Sequence, residues 1–169
     1  IENDNVNLIN EVVSNGNKLF KDDWSWWFSA AKSMKKIEQL NKSKDYFLKS
    51  IKLNPENSES YYEIGNVYLA LDDAENSIKS FTEAIQITKW EDKYKIGLCD
   101  AYLLNSNVDL AEKEIKNLEK SRDSLQNRFS TATLNPEEIK TLSIELSEIS
   151  EQIDVKTERW FVLSDIKDS

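Results

Sequence analysis

Small residues stand at Ala31, Gly65 and Cys99, and large apolar ones at Phe47, Phe81 and Ile115, each 34 positions apart. The same interval relates Met34, Tyr68 and Tyr102; Ala30, Ile64 and Leu98; and Ser43, Ser77 and Ala111. Five concordant series at one period mean that the chain is built from copies of a single supersecondary unit. A unit this short cannot bury its own apolar stripe, so the copies must stack. With only 3 Gly and 2 Pro in 169 residues, little interrupts helix formation.

Each copy contains two stretches with apolar residues at i, i+3, i+4 and i+7, the pattern of amphipathic helices. Polar turns are expected at Leu40-Asn41-Lys42, Leu71-Asp72-Asp73 and Asn105-Ser106-Asn107. Asp72 followed by Glu75 fits a capping box opening the second helix of the middle copy. Asn54-Pro55-Glu56-Asn57 closes the first copy, because proline stops a helix.

These residues resemble the tetratricopeptide repeat, W-x2-L-G-x2-Y, then A-x3-F, then P. The middle copy carries Tyr61, Ile64, Gly65, Tyr68, Ser77, Phe81 and Ala84; the first carries Trp27, Ala30, Ala31, Met34, Ser43, Phe47, Ser50 and Pro55. The third has Leu98, Cys99, Tyr102, Ala111 and Ile115, with Lys95 where the aromatic is expected. The resemblance implies an all-α, TPR-type helical-hairpin solenoid (a right-handed superhelix), with repeats at 24–57, 58–91 and 92–129. Residues 1–23 then form an N-terminal capping helix or partial repeat. In that segment Val6, Ile9 and Val13 share one helical face, and Asn15-Gly16-Asn17 is expected to end the helix.

Beyond the third copy the last helix runs on through Val108, Ala111, Ile115, Leu118, Arg122, Leu125 and Phe129. A polar connection at 130–134 follows. Asn135-Pro136-Glu137-Glu138 then opens a new helix with an N-cap, a proline at the first position and acids in the first turn. Its seam is Ile139, Leu142, Leu146, Ile149, Ile153, Lys156, Trp160 and Leu163. Two such helices joined by a short loop fold back as an antiparallel coiled-coil hairpin, with residues 130–169 as its returning arm. The expected pairs are Phe129 with Ile139, Leu125 with Leu142, Leu118 with Ile149 and Ile115 with Ile153. Trp160 and Phe161 return to the base near Val108. The segment also looks like the coiled-coil tail of ABC-F ATPases, through the hairpin and its Glu158–Leu163 ending, ERWFVL. Two roles are open to it: covering the apolar end of the solenoid, or acting as an arm for a partner or for dimerisation.

Charge and composition exclude several functions. A net charge of −9 repels nucleic acid and anionic membrane surfaces. The uncharged apolar runs are too short to span a membrane. Without histidine, the commonest general base and metal ligand is missing, and one cysteine allows neither an internal disulfide nor a CxxC site. Cys99 occupies the small-residue position of its repeat and is read as packing. No glycine-rich phosphate loop occurs. The reading is of a protein with no catalytic residue, cofactor or metal. Beginning Ile-Glu-Asn-Asp, the chain reads as a fragment or a processed product, with the cytoplasm the favoured compartment.

Function is expected in the groove that the family's first helices line. By the resemblance, position five gives Phe28, Tyr62 and Ile96, position nine Lys32, Asn66 and Asp100, and position twelve Lys35, Leu69 and Leu103. An apolar row of this kind suits an extended or helical apolar segment of another protein. The residues matching a chaperone-tail clamp are Phe28, Lys32, Glu63, Lys93 and Gly97; only Lys93 fits, which disfavours capture of an acidic C-terminal carboxylate. Three classes follow: a scaffold or adaptor, a small acidic holdase for an apolar substrate, and a homodimer through the C-terminal hairpin. The alternative arrangement has the N-terminal segment itself lying in the groove. In Asp22–Phe28, DDWSWWF, Trp27 is read as core, Trp26 as clamping the N-terminal segment, and Trp24 as open to solvent or a partner. Trp24, Trp160 and Phe161 form a possible secondary surface.

Overall fold

The computed structural model describes residues 2–132 and 134–167, and within them the side chains from Val6 to Ile166. Thr133, part of the expected polar connection, lies outside the described residues. Eight helices occur among the described residues: α1 (Glu2–Leu19), α2 (Trp24–Lys36), α3 (Leu40–Leu53), α4 (Ser58–Ala70), α5 (Ala74–Ile87), α6 (Asp92–Leu104), α7 (Val108–Thr131) and α8 (Pro136–Lys167). The fold is an all-helical repeat solenoid. It divides into two compact units, one ending at Lys89 and the other beginning at Trp90.

In the first unit α2 pairs with α3 and α4 with α5. The residues that repeat at 34 form its core: Ala31, Phe47, Ile64 and Phe81 are at most 1% exposed. Each such phenylalanine contributes about 1.5–3 kcal/mol by leaving water. Small residues let the paired helices touch. Ser43 Oγ donates to the Ala31 carbonyl at 2.8 Å and Ser77 Oγ to the Gly65 carbonyl at 3.0 Å. Gly65 is required where it stands, because a Cβ there would lie 2.8 Å from Cε1 of the buried Phe81.

The turns repeat as strictly as the core. Glu38, Asp72 and Ser106 all take left-handed backbone, with φ of 59°, 56° and 52°. The first turn therefore sits at residues 37–39 rather than at Leu40-Asn41-Lys42, which already belong to α3. The capping residue of α5 is Asp73, one place after the expected Asp72: its side chain accepts from the Asn76 amide, while Asp72 makes the bend. Asn107 caps α7 in the same way through the Leu110 amide. Gln39, their counterpart, makes no capping bond, and its Oε1 is buried without a partner.

α1 corrects a second expectation. It runs through Asn15-Gly16-Asn17 to Leu19 instead of ending there. Gly16 is a contact residue rather than a helix stop: a Cβ on it would fall 1.9 Å from Cζ2 of Trp26. The bare backbone seats the indole, whose Nε1 donates to Asn17 Oδ1 at 3.0 Å. Val13 completes a small core with Ala30 and Met34, against which Ile9, Trp26 and Tyr46 pack. Trp27 is buried, with its indole N–H on the Lys21 carbonyl at 2.8 Å. Trp24, expected to be open, is half-buried at the start of α2, and its carbonyl accepts from Ser50 Oγ at 2.9 Å.

In the second unit α8 folds back along α7 and also lies on α6. Its opening is a reciprocal capping box: Asn135 Oδ1 accepts from the Glu138 amide at 3.0 Å, and Glu138 Oε2 from the Asn135 amide at 2.9 Å. Leu118, Ile115, Ile149 and Ile153 share one core with Cys99, Leu103 and Ala111; Leu125, Trp160 and Leu163 pack on it. The hairpin's tip is looser, with Phe129 39% and Ile139 43% exposed. At its base Trp160 Nε1 donates to the Val108 carbonyl at 3.0 Å, and Phe161 leans on Trp160 with 57% of its surface in water. Lys95 replaces the repeat's aromatic with polar bonds: Asp92 Oδ1 lies 2.6 Å from its Nζ and also accepts from Ser121 Oγ at 3.0 Å.

Candidate functional site

α2 and α4 place six of the expected groove residues in the first unit. α1 docks on Trp26, Ala30 and Met34, which are different positions of α2 from Phe28, Lys32 and Lys35. Phe28 and Tyr62 are half-buried. Phe28 meets Phe47 edge-on with centroids 5.7 Å apart, and Tyr62 meets Phe81 at 5.8 Å. The inner edge of each ring therefore rests on core, which fixes its position. Leu69 is also half-buried, and Asn66 spends its amide on the Tyr62 carbonyl at 3.1 Å.

The two lysines are organised by a residue that the groove positions did not include. Glu63, only 9% exposed, receives Lys35 Nζ at 2.7 Å and Lys32 Nζ at 3.9 Å. Lys32 also stands 5.5 Å from the Phe28 ring centroid. Lys32, Ser33, Lys35, Lys36 and Glu63 line an open depression of about 410 Å³. Three lysines against one glutamate make this lining net positive in an acidic chain. The lysines were legible at i, i+3 and i+4 on one helix; the carboxylate from the next repeat was not, because pairing across helices depends on the packing.

The third repeat's groove residues have another environment. Leu103, expected to line the groove, is 2% exposed and belongs to the core beneath α8. Ile96 packs on the same core. Asp100 Oδ1 takes Lys156 Nζ from α8 at 2.9 Å, and Gln152 Oε1 takes the same ammonium at 3.1 Å. Within the second unit, the helix that follows the repeats thus covers positions nine and twelve of α6. The family pattern cannot signal this, because α8 lies outside the repeat. Lys156 gave the hint: a cation in an otherwise apolar seam needs a partner.

Cys99 is fully buried, and its Sγ lies 3.8 Å from the Ala111 carbonyl. Burial pushes its thiol up to about 12, well away from a nucleophile's range. The first two repeats send a serine hydroxyl from the second helix to the first; here the first helix holds the donor, and the contact runs the other way. Among the described residues no three metal-ligating side chains gather, and no helix is long and apolar enough to cross a membrane.

Comparison with known proteins agrees with this geometry. Tetratricopeptide-repeat profiles match residues 27–57 and 46–79. An ABC transporter C-terminal domain profile matches residues 102–165, the stretch of the long hairpin. No curated protein sequence matches the chain. Among solved structures, the MamA protein is 18% identical, covering 78% of this chain and 73% of its own, with a TM-score of 0.62. YrrB, described as a TPR protein with an unusual peptide-binding site, is 16% identical over 87% of this chain and 74% of its own, with a TM-score of 0.57. A tetratricopeptide repeat protein from Parabacteroides merdae ATCC 43184 is 11% identical over 94% and 73%, with a TM-score of 0.59. The recurring core, the turns and these matches together identify tetratricopeptide repeats over residues 27–79, in a chain whose fold is that of tetratricopeptide-repeat structures.

Proposed function

We propose that the protein is a non-catalytic scaffold or adaptor that holds an apolar helical or extended segment of a partner on the α2–α4 face. The observation that carries this reading is the exposed half of Phe28, Tyr62 and Leu69 on rigid helices, with Lys32 and Lys35 beside them. α1 docks on other positions of α2 than Phe28, Lys32 and Lys35. YrrB, a similar fold, carries a peptide-binding site, and tetratricopeptide-repeat proteins bind other proteins. The test is Tyr62→Ala with Leu69→Ala, read by affinity capture with mass spectrometry beside the parent chain. Loss of a specific partner at unchanged helicity supports the face; an unchanged partner set removes it.

A second reading has its own support. Ile144, Val155, Val162 and Ile166 are 49–68% exposed and recur at intervals of 11, 7 and 4 along α8. Such a stripe suits a homodimer through the hairpin. Light scattering coupled to size exclusion decides it, since a monomer at high concentration excludes this role.

A further inference from the structure

The second unit contains a cleft of about 420 Å³ where the start of α6 meets α7 and α8. Its floor is apolar: Ile96, Leu125 and Ile149, all continuous with the core of this unit. Carboxylates stand around it, from Glu91 and Asp92 on one side and Glu145 and Glu148 on the other. Asp92 is neutralised by Lys95 at 2.6 Å. Glu91, Glu145 and Glu148 have no ion-pair partner among the described residues. Trp90 lines the same cleft and is 89% exposed, the most open large hydrophobic side chain among the described residues. One lysine, Lys93, also lines it, with its ammonium 5.3 Å from the Tyr94 ring centroid.

An apolar floor under a negative rim, with an aromatic face at the edge, is complementary to one kind of side chain: an aliphatic stem ending in a cation. Arginine and lysine lay their methylenes on apolar surface while keeping the charged head at its edge. There the head meets carboxylates, and it can stack on an indole. We infer that this cleft docks a basic, amphipathic segment of a partner protein, with an arginine or lysine seated between Trp90 and the Glu145–Glu148 turn of α8. The site is separate from the α2–α4 face, and α8, which lies outside the repeat pattern, supplies one wall. It would give the chain a second contact of opposite electrostatic character, since the first unit's depression is lysine-rich.

The test uses the whole chain and a sixteen-residue amphipathic peptide repeating leucine-arginine-lysine-leucine. Two further peptides replace the basic residues with glutamate, or the leucines with serine. Titrations are followed by NMR of the tryptophan indoles and of isoleucine and leucine methyls. The expected result is saturable shifts at Trp90, Ile96, Leu125 and Ile149 with the basic amphipathic peptide only. Glu145→Gln with Glu148→Gln then weakens binding about fivefold or more, and Trp90→Ala about threefold. Glu151→Gln with Glu158→Gln, an equal loss of charge elsewhere on α8, leaves it unchanged, as does Tyr62→Ala with Leu69→Ala. No shifts at these residues, equal losses in the two glutamate pairs, or equal binding of the serine peptide would each overturn the proposal. Because the first-unit face is read through Tyr62 and Leu69, either site can fail without the other.

Discussion

Gly16→Ala isolates the contact that holds α1 to the first repeat. The new methyl would sit 1.9 Å from Cζ2 and 2.2 Å from Cη2 of Trp26, where ordinary contact begins at 3.4 Å. The indole must therefore retreat by about 1.5 Å, more than enough to forfeit half of its dispersion contacts. Its bond to Asn17 Oδ1 is lost with it. Overpacking of this kind costs about 1–3 kcal/mol, which raises the undocked population of α1 roughly 5- to 150-fold. Alanine also favours helix over glycine by about 1 kcal/mol, so α1 itself gains intrinsic helicity. The two effects separate in different assays. Circular dichroism should change little, whereas the Trp26 indole resonance should move and the amides of α1 should lose exchange protection. Trp26→Ala in the same chain should cancel most of the change, because the clash has one partner. If the α1 amides stay as protected as in the parent, Gly16 is not the seat of the indole and the account of this end of the molecule is wrong.

Gln39→Asp supplies the cap its counterparts Asp73 and Asn107 already have and removes a buried unpaired oxygen, so the thermal midpoint should rise, with a gain of about 1 kcal/mol. Gly65→Ala should destabilise the first unit by roughly 1–2 kcal/mol in urea titrations despite its better helix propensity, because Phe81 is fully buried and has nowhere to move. Cys99→Ala should cost about 1 kcal/mol, and adding Ala111→Ser should recover part of it by restoring the serine contact of the first two repeats. In the parent chain the folded thiol resists ionisation up to about 12 from an ordinary 9.0, so its contribution is complete below pH 9 and is lost as pH rises towards 12; denaturation midpoints should fall across that window. Asp100→Asn leaves the buried Lys156 ammonium without its carboxylate and should cost about 3 kcal/mol or more, while Asp100→Leu with Lys156→Met should restore most of that loss by chemical denaturation.

The sequence carried the repeats further than their boundaries. Ala31, Gly65 and Cys99 announce themselves as small because the helix contact is steric and local, and it recurs at one spacing. The turn at Glu38 did not, since glutamate has no preference for left-handed backbone; only the period linking it to Asp72 and Ser106 places it. A glycine beside asparagines looks like a helix end, whereas the reason for Gly16, the Trp26 indole ten residues on, is tertiary. Leu103 shows the same limit in the site. Its place on α6 follows from the repeat, but its burial depends on α8, whose return path is set by the whole seam from Leu142 to Trp160.

The contacts also differ in how far along the chain they reach. The hydrogen bonds that close the three hairpins, Ser43 to Ala31, Ser77 to Gly65 and Cys99 to Ala111, each join residues 12 apart. Those that seat α8 span 56 residues, from Lys156 to Asp100, and 52, from Trp160 to Val108. Local contacts form early because little chain entropy is lost in making them, and distant ones wait. As the chain emerges from the ribosome, the hairpins can close one after another, but the third keeps a bare apolar flank until the last helix has been made. During that interval the apolar flank that α8 later covers is open to aggregation.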